Sequence, residues 1–215
     1  MRHLLGHICI LLGILLLVAA AGLLCYNTWE SQHAMEASHS VLDAIQHTRE
    51  DIPAENSESP MEPSEISEDP YPNPLLPFEA AEKEMKVVEI DGHDYIGTLS
   101  IPVLGLELPV MSELDYPRLK IAPCRQQGSV YTDDLVIAAH NYSSHFGKLY
   151  QLRSDDLLAF TDMEGETHLY YVEARDVLDP TAVDAVLDSP FDLVLYTCTY
   201  GGENRVAVFC NRVPL

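Results

Sequence analysis

Three residues with reactive or charged side chains lie at the ends of apolar runs in the second half of the chain. His140 follows the apolar run of residues 135–139, and Cys198 ends the run of residues 193–198. Arg205 opens the next apolar run, seven residues after the cysteine. Antiparallel pairing of these last two runs would set Arg205 near Cys198. We therefore expect a thiol, an imidazole and a guanidinium to share one groove.

These three side-chain types together suit acyl transfer at a peptide bond. A free thiol has a pKa of about 8.5, and a neighbouring imidazole and guanidinium both favour its thiolate form. An imidazolium can then protonate a leaving amine, and an arginine can hydrogen-bond a developing oxyanion. Each residue alone also has a plainer interpretation, because a cysteine in a strand usually packs in the core and strand-end His or Arg is usually solvated.

The elements around these residues read as a β-rich domain from Tyr95 onward, because short apolar runs rich in β-branched and aromatic residues alternate with turn residues. So many short strands in about 120 residues favour a closed or nearly closed β-barrel over a βαβ fold. Short helices are predicted at residues 112–119, 149–152 and 181–187. Strands are predicted at residues 95–101, 107–110, 128–131, 135–139, 157–161, 167–178, 193–198 and 205–213.

The first part of the chain contains an apolar run, residues 4–25, that is long enough to cross a bilayer as a helix. At about 1.5 Å per residue the run spans roughly 30 Å. Arg2 precedes it and acidic residues follow, so the positive-inside tendency predicts a cytoplasmic N-terminus and an external domain. The alternatives are a signal peptide cleaved near residues 19–21 and a lipoprotein signal at Cys25, which the large Leu24 disfavours.

We divide the chain into three parts: an N-terminal transmembrane anchor (1–29), an acidic stalk (30–86) and a β-barrel domain (87–215). Residues 30–70 contain eleven acidic residues and one basic residue, with prolines in their second half. A short helix is expected at residues 32–49. Residues 50–73 are expected to be a solvated linker, because they have little to bury against the entropic cost of ordering.

The composition disfavours several classes of protein. With 34 acidic and 12 basic residues the chain has a formal net charge of −22, against a nucleic-acid binder, which needs clustered Lys and Arg. A hydrophobic fraction of 47% argues against wholesale disorder. Five cysteines without a Cys-x-x-Cys pair disfavour a disulfide scaffold, a zinc ribbon and a thioredoxin-type redox site. We predict no cofactor and no dedicated metal site.

The local sequence resembles that of the sortases, the cysteine transpeptidases of bacterial cell surfaces. The blocks that carry the resemblance are residues 96–110, 135–149, 160–172 and 195–205. They are similar to the family's opening strand pair, histidine block, mid-barrel hairpin and nucleophile block. Ala139 is a mild departure, since glycine commonly precedes the histidine. The resemblance spans residues 95–215 and keeps His, Cys and Arg in the order of the family.

The resemblance implies an eight-stranded sortase β-barrel with Cys198 as nucleophile, His140 as general acid/base and Arg205 as oxyanion and substrate clamp. The implied activity is cleavage of an LPXTG-like sorting motif near the C-terminus of a secreted protein. The acyl-thioester on Cys198 would pass to an amine of a cell-wall peptide or a pilin lysine. The implied location is the bacterial cell membrane, with a single span and an extracellular catalytic domain.

Further residues are assigned around this site. Candidates for substrate contact are Thr197, Tyr200 and Asn141. Asp69-Pro70-Tyr71 resembles the Asp-Pro-aromatic lid of class C enzymes, although a turn in a Pro-rich linker is the plainer interpretation. The subclass is left open between class B-, C- and D-like. His145 is interpreted as structural or groove-lining, and His93 and His168 as surface residues.

Two other kinds of function remain as alternatives: another cysteine peptidase, or a non-enzymatic membrane-anchored adhesion or scaffold barrel. Papain-like and lipoprotein-peptidase enzymes place Cys before His, whereas here the histidine comes first. Caspase-like enzymes need a Gln-Ala-Cys block and L,D-transpeptidases a Ser-His-Gly-Cys block, and the sequence contains neither. A non-enzymatic barrel would be expected to lack one of the three reactive residues, and all three are present.

Overall fold

The computed structural model describes residues 2–50 and 83–214. The lid-like residues 69–71 and most of the predicted linker lie outside them. The helices are α1 (Arg2–Glu50), α2 (Tyr116–Leu119) and α3 (Asp184–Leu187), with 3₁₀ helices at Pro102–Leu104 and Phe146–Gln151. The strands are β1 (Val88–Ile90), β2 (His93–Ile101), β3 (Leu106–Met111), β4 (Cys124–Gln127), β5 (Leu135–Ala138), β6 (Leu157–Asp162), β7 (Thr167–Leu178), β8 (Leu193–Cys198) and β9 (Arg205–Arg212).

Eight of these strands close into a barrel. Their order is β2-β3-β4-β5-β8-β9-β7-β6, and β6 pairs back onto β2. β1 extends the sheet as a ninth strand beside β2. The β3–β4 and β5–β8 pairs are parallel, and the other pairs are antiparallel. The prediction of a closed, mostly β, eight-stranded barrel with short helices is confirmed.

Strand alternation separates the barrel interior from its outer layers. In β9, Val208 and Cys210 belong to the large interior cluster, whereas Ala207 and Phe209 pack outside the barrel in a cluster that includes residues of α3. Cys210 therefore points into the barrel interior. Because successive side chains of a strand point to opposite faces, the same alternation assigns Arg205 to the outer face.

The first half of α1 exposes its apolar side chains. The large apolar residues from Ile10 to Leu24 are each at least half exposed. Within the described residues, one helix, α1, is long and apolar enough to cross a membrane, judged by its length and composition. So many leucines on one exposed surface call for an apolar environment such as a bilayer.

The second half of α1 packs on the barrel. Every third or fourth residue is buried there: Ser31, Ala34, Ser38, Val41, Leu42 and Ile45. This spacing places them on one face of the helix. Val41 and Ile45 join a cluster that also includes residues of β2, β3 and β4. The helix predicted at residues 32–49 is thus part of a longer one, and this part of the predicted stalk is docked on the barrel.

The prediction of a strand at residues 128–131 is wrong, because the strand lies earlier, at β4. Gly128 has a left-handed φ of 75°, and an added Cβ would lie 2.0 Å from the carbonyl oxygen of Asp134. The Ser129 amide donates to the Asp134 carboxylate, 3.0 Å away, which holds a turn at this point. Cys124 is the first residue of β4 and is fully buried.

The surface position predicted for His168 is also wrong. Its ring is 4% exposed near the start of β7. His168 Nε2 lies 3.5 Å from Asp162 Oδ2, and its Nδ1 lies 3.2 Å from Arg212 Nη1. Tyr131 covers the ring edge-on. The polar residue is tolerated inside because both ring nitrogens have partners.

Candidate active site

Cys198 and Arg205 are direct cross-strand partners. Cys198 is the last residue of β8 and Arg205 the first of β9, and the two pair in the antiparallel ladder. Side chains directly opposite each other in such a pair lie on the same face, with Cβ atoms about 5 Å apart. Strand register therefore sets Arg205 next to Cys198, as the sequence predicts.

His140 reaches the same place through a parallel strand pair. β5 and β8 are parallel, with Ala138 paired to Tyr196. Continuing this register by two residues sets His140 beside Cys198, on the same face because side chains two residues apart share a face. The Ala139 amide donates to the Tyr196 carbonyl at 3.2 Å, so the pairing extends beyond β5 as this register requires.

Two further bonds tie together the segments that carry the histidine and the cysteine. The Thr197 hydroxyl donates to the carbonyl oxygen of Ala139 at 2.8 Å. The Asn141 amide nitrogen donates to the carbonyl oxygen of Thr199 at 3.3 Å. Thr197 is buried, so its hydroxyl is committed to the fold. Together these bonds join the loop after β5 to the loop after β8, and they involve the residues just before and just after His140 and Cys198.

Aromatic rings surround the His140 imidazole. The Tyr142 ring stacks on it with 4.6 Å between centroids and 13° between planes, and Tyr116 meets it edge-on at 5.7 Å. His140 Nε2 is buried and makes no hydrogen bond to the described residues. Burial lowers the pKa of His140, Glu30 opposes this effect, and Lys120 adds to it. A carboxylate of α1 therefore helps to keep the imidazolium form accessible.

His145 also contacts the Tyr142 ring, with 5.5 Å between centroids, and is fully buried. Burial, and then the neighbouring His140, lower its pKa to about 4. The His145 ring therefore stays neutral over the physiological pH range, and it packs as a structural residue of the His140 loop. The loop is also packed tightly, since a Cβ at Gly147 would lie 2.5 Å from the carbonyl oxygen of Asn141.

Two cavities flank the Cys198–Arg205 pair. One, of about 580 Å³, is lined by Cys198 and by the exposed Tyr200 and Tyr150. The other, of about 200 Å³, is lined by Arg205 and by the segment between β7 and α3. An extended peptide laid across the pair would therefore have space on both sides of the thiol.

One nitrogen of the Arg205 guanidinium is hydrogen-bonded to the loop that precedes the residue. Its Nη1 donates to the carbonyl oxygens of Gly202 and Asn204, both at 3.1 Å. Among the residues that the structure describes, Nε and Nη2 have no hydrogen-bond partner. The guanidinium is thus anchored on one side and has donors left for a ligand.

The other described cysteines are poorly placed for nucleophilic attack. Cys124 and Cys210 are fully buried, and burial raises the pKa of Cys124 to about 12 and raises that of Cys210 as well. Cys25 is exposed on the apolar half of α1. All four described cysteines are unpaired thiols. Cys198 alone among them lies beside the histidine and the arginine.

One group of residues brings potential metal ligands together, away from this site. Single ligand atoms of Asp162, Glu166 and His168 lie within 4.8 Å of one another. The Asp162 carboxylate already accepts hydrogen bonds from the Glu164 and Glu166 amides and from the Tyr131 hydroxyl. This carboxylate therefore stabilises the turn of the β6–β7 hairpin.

The structure thus brings His140, Cys198 and Arg205 together, with Asn141 and Tyr200 nearby. Two residues near the imidazole were not singled out from the sequence, Tyr142 and Glu30. Tyr142 follows the histidine by two residues, which was an available signal. No sequence signal pointed to Glu30, because its position relative to the imidazole depends on how α1 docks on the barrel.

Comparisons with known proteins agree with this arrangement. The family model of the sortase domain matches residues 99–213. No curated protein sequence matches the chain. Among solved structures, sortase C1 from Streptococcus suis matches with 26% identity and a TM-score of 0.50, over 57% of this chain and 75% of that one.

Two more structures share the fold. Sortase A from Corynebacterium diphtheriae matches with 24% identity and a TM-score of 0.50, over 57% of this chain and 62% of that one. Sortase C2 of Group B Streptococcus pilus island 1 matches with 24% identity and a TM-score of 0.50, over 59% of this chain and 77% of that one. The match thus spans less than two thirds of the sortase A. The family model of the sortase domain covers more than half of the present chain, so this chain belongs to the sortase family.

Proposed function

We propose that this protein is a cysteine transpeptidase that cleaves an LPXTG-like sorting motif and transfers the acyl part to an amine. The observation that carries the proposal is that three residues lie side by side at the same end of neighbouring strands. Cys198 pairs with Arg205 across β8 and β9, and the parallel register of β5 and β8 sets His140 beside Cys198. A nucleophile, a proton donor and an oxyanion donor are then within reach of one peptide carbonyl.

The proposed reaction has two halves. The Cys198 thiolate attacks the carbonyl carbon of the Thr-like residue, and Arg205 donates to the oxyanion that forms. The carbon–nitrogen bond breaks as the His140 imidazolium gives its proton to the leaving amine, which leaves a thioester on Cys198. An acceptor amine then attacks the thioester, its proton passes to His140, and the carbon–sulfur bond breaks to return the thiolate.

The proposed partners follow from this chemistry. The acyl donor is a secreted protein with an LPXTG-like signal near its C-terminus, and the acceptor is an amine of a cell-wall peptide or a pilin lysine. The apolar half of α1 serves as a single membrane span of a bacterial cell. With its N-terminus in the cytoplasm, the barrel lies outside, where secreted clients pass. Asn141, Thr197 and Tyr200 stay predictions for substrate contact, as does the lid role of residues 69–71.

Mass spectrometry tests the proposed function directly. The full chain in detergent is incubated with a set of LPXTG-like peptides and a small amine such as hydroxylamine or triglycine. The expected product carries the amine in place of the residues that follow the Thr-like position. Cleavage that yields only the free acid in the presence of the amine would point to a peptidase, and no cleavage of any member would favour a non-enzymatic barrel.

A further inference from the structure

Three serine hydroxyls join the second half of α1 to the loop that follows His140. Ser144 donates its hydroxyl to the carbonyl oxygen of Ser31 at 2.9 Å. A serine hydroxyl has one proton to donate, so in the 3.0 Å contact between these two side chains Ser31 must be the donor. The Ser143 hydroxyl, 3.1 Å from that of Ser31, must then donate to it. Each of the three protons is used once, and together the three bonds attach the loop to the helix.

The attachment of the loop to α1 is buried. Ser31 is 7% exposed and Ser144 is 5% exposed, so water does not compete for the bonds between them. Ala34 and Ser38 are the next buried residues on the same face of the helix, and their small side chains allow the helix to approach closely. Because a buried hydroxyl that loses its partner cannot turn to water instead, the serine contacts hold the helix and the loop together.

The loop that the serines hold is closed by its own backbone hydrogen bonds. The Phe146 amide donates to the carbonyl oxygen of His140 at 3.1 Å, which joins the two ends of the loop. The His145 and Gly147 amides both donate to the carbonyl oxygen of Tyr142, at 3.0 and 2.9 Å. A loop closed in this way moves as one unit, so its attachment to α1 also fixes the position of Tyr142.

Tyr142 in turn supports the imidazole of His140. The two rings are stacked, with 4.6 Å between centroids and 13° between planes. Nε2 of His140 is buried and has no hydrogen-bond partner among the described residues, so no bond at that atom fixes the ring plane. The second ring against the imidazole, the edge-on Tyr116, is largely exposed. The stacked Tyr142 is therefore the firmer support.

We propose that Ser31 and Ser144 are positioning residues for His140, because their hydrogen bonds hold the loop in which Tyr142 stacks on the imidazole. This inference rests on the proposed function, in which His140 transfers the proton. Both serines act through the loop rather than on the substrate. The inference gives α1 a second role, since the helix that carries the apolar span also supports the general acid/base.

The kinetic test uses the full chain in detergent and three variants: Ser31→Ala, Ser144→Ala and their double variant. Each single change removes two of the three bonds and should lower kcat about tenfold while KM stays close to the wild-type value, because a displaced catalytic group slows the chemical step. The single variants lose one bond in common, so the double variant should lose less than the product of the two single effects. A fully multiplicative loss would show that the serines act independently and would overturn the inference.

Ser38→Ala is the matched control. Ser38 lies about two turns further along the same buried face of α1, and its buried hydroxyl has no hydrogen-bond partner among the described residues. The change therefore removes the same group from the same interface without breaking a bond to the loop, and it should keep wild-type kinetics. A loss in Ser38→Ala equal to that in Ser31→Ala would point to a general loosening of α1 on the barrel and would overturn the inference.

A spectroscopic readout without substrate separates this inference from the proposed function. The ring current of the stacked Tyr142 shifts the His140 ring protons upfield. NMR of histidine-labelled protein measures this shift, with the signals assigned from a His140→Asn variant and the value without the ring taken from Tyr142→Leu. The upfield shift should shrink in Ser31→Ala and Ser144→Ala and persist in Ser38→Ala.

An unchanged shift in both Ser31→Ala and Ser144→Ala would contradict the positioning role even in an active enzyme. Absence of acyl transfer by the wild type would contradict the proposed function instead.

Discussion

Cys198 and Arg205 face each other across the last two strands of the barrel, at the point where the β8–β9 ladder ends. The guanidinium is anchored through Nη1 to its own loop, which leaves other N–H groups of the fork unpaired among the described residues. This geometry predicts that Arg205→Lys is strongly impaired although the charge is kept. A lysine ammonium cannot reach two loop carbonyls and a substrate oxyanion with the planar spacing of the fork.

The expected loss for Arg205→Lys is roughly 100- to 1000-fold in kcat, the range for removing one oxyanion donor. Steady-state kinetics with a cleavable LPXTG-like peptide measure it. Arg175→Lys is the control, since Arg175 is exposed on β7. Near-normal kinetics in Arg205→Lys would mean that the residue acts through charge alone.

Thiol reactivity should single out Cys198 among the cysteines of the barrel. Cys124 and Cys210 are fully buried with raised pKa values, so both stay protonated and shielded from a water-soluble reagent. Brief treatment with iodoacetamide followed by peptide mapping should find Cys198 labelled first.

The same mapping without reductant should find no Cys198–Cys210 link. Cys210 points into the barrel interior, whereas Cys198 shares the outer face with Arg205, and a disulfide cannot pass through the sheet. A peptide joining Cys198 and Cys210 would show that the strand register is wrong by one residue.

Gly147 should be required for activity more than for folding. A Cβ there would lie 2.5 Å from the carbonyl oxygen of Asn141 and 2.7 Å from that of Tyr142, so Gly147→Ala must push the His140 loop away. We expect a loss of about tenfold or more in kcat, since small displacements of catalytic groups are costly.

Gly92→Ala provides the comparison for this effect. Gly92 has a left-handed φ of 78° but open space around it, so alanine there costs about 1 kcal/mol of stability. Enzyme assays and thermal melts of both variants separate the two effects. Equal activity in the two would show that the loop absorbs the added methyl group.

His145 should make stability depend on pH below neutrality. Its pKa is about 4 in the folded protein against an ordinary value of 6.5, because burial disfavours the charged ring. The folded-state pKa is depressed, so the contribution to stability is complete above about pH 6.5 and is lost as the pH falls towards 4. The unfolded chain takes up the proton first, at a cost to the folded state of roughly 3 kcal/mol.

Urea unfolding of the wild type and of His145→Gln at several pH values measures this dependence. The wild type should be the more stable at pH 7, and its advantage should shrink between pH 6.5 and pH 4. A constant difference over that range would show that His145 takes up its proton equally in the folded and unfolded states.

The strands that the sequence predicts best are those rich in β-branched, aromatic and other apolar residues between clear turn signals. β7 and β8 begin and end at the predicted residues, 167–178 and 193–198. β4 was missed because Arg125, Gln126 and Gln127 give no apolar alternation, although the strand is held between β3 and β5. Pairing with neighbours overrode the weak local pattern there.

The sequence pattern did not predict that α1 docks on the barrel. Its buried face is made partly of Ser31, Ala34 and Ser38, which are small residues that allow close approach and give almost no hydrophobic signal. The acidic composition of the same segment favoured a solvated stalk. The contact between Ser31 and the loop that follows His140 therefore depends on long-range packing that only the folded chain displays.

The central claim is that Cys198 forms the acyl-enzyme. Intact-mass spectrometry of the full chain, mixed with an LPXTG-like peptide in the absence of added amine, tests it most directly. A mass increase equal to the acyl fragment is expected, located by peptide mapping at Cys198 and released by hydroxylamine. Cys198→Ala should show neither the adduct nor cleavage, whereas Cys210→Ala, if folded, should show both. An adduct on another residue, or cleavage by Cys198→Ala, would contradict the account.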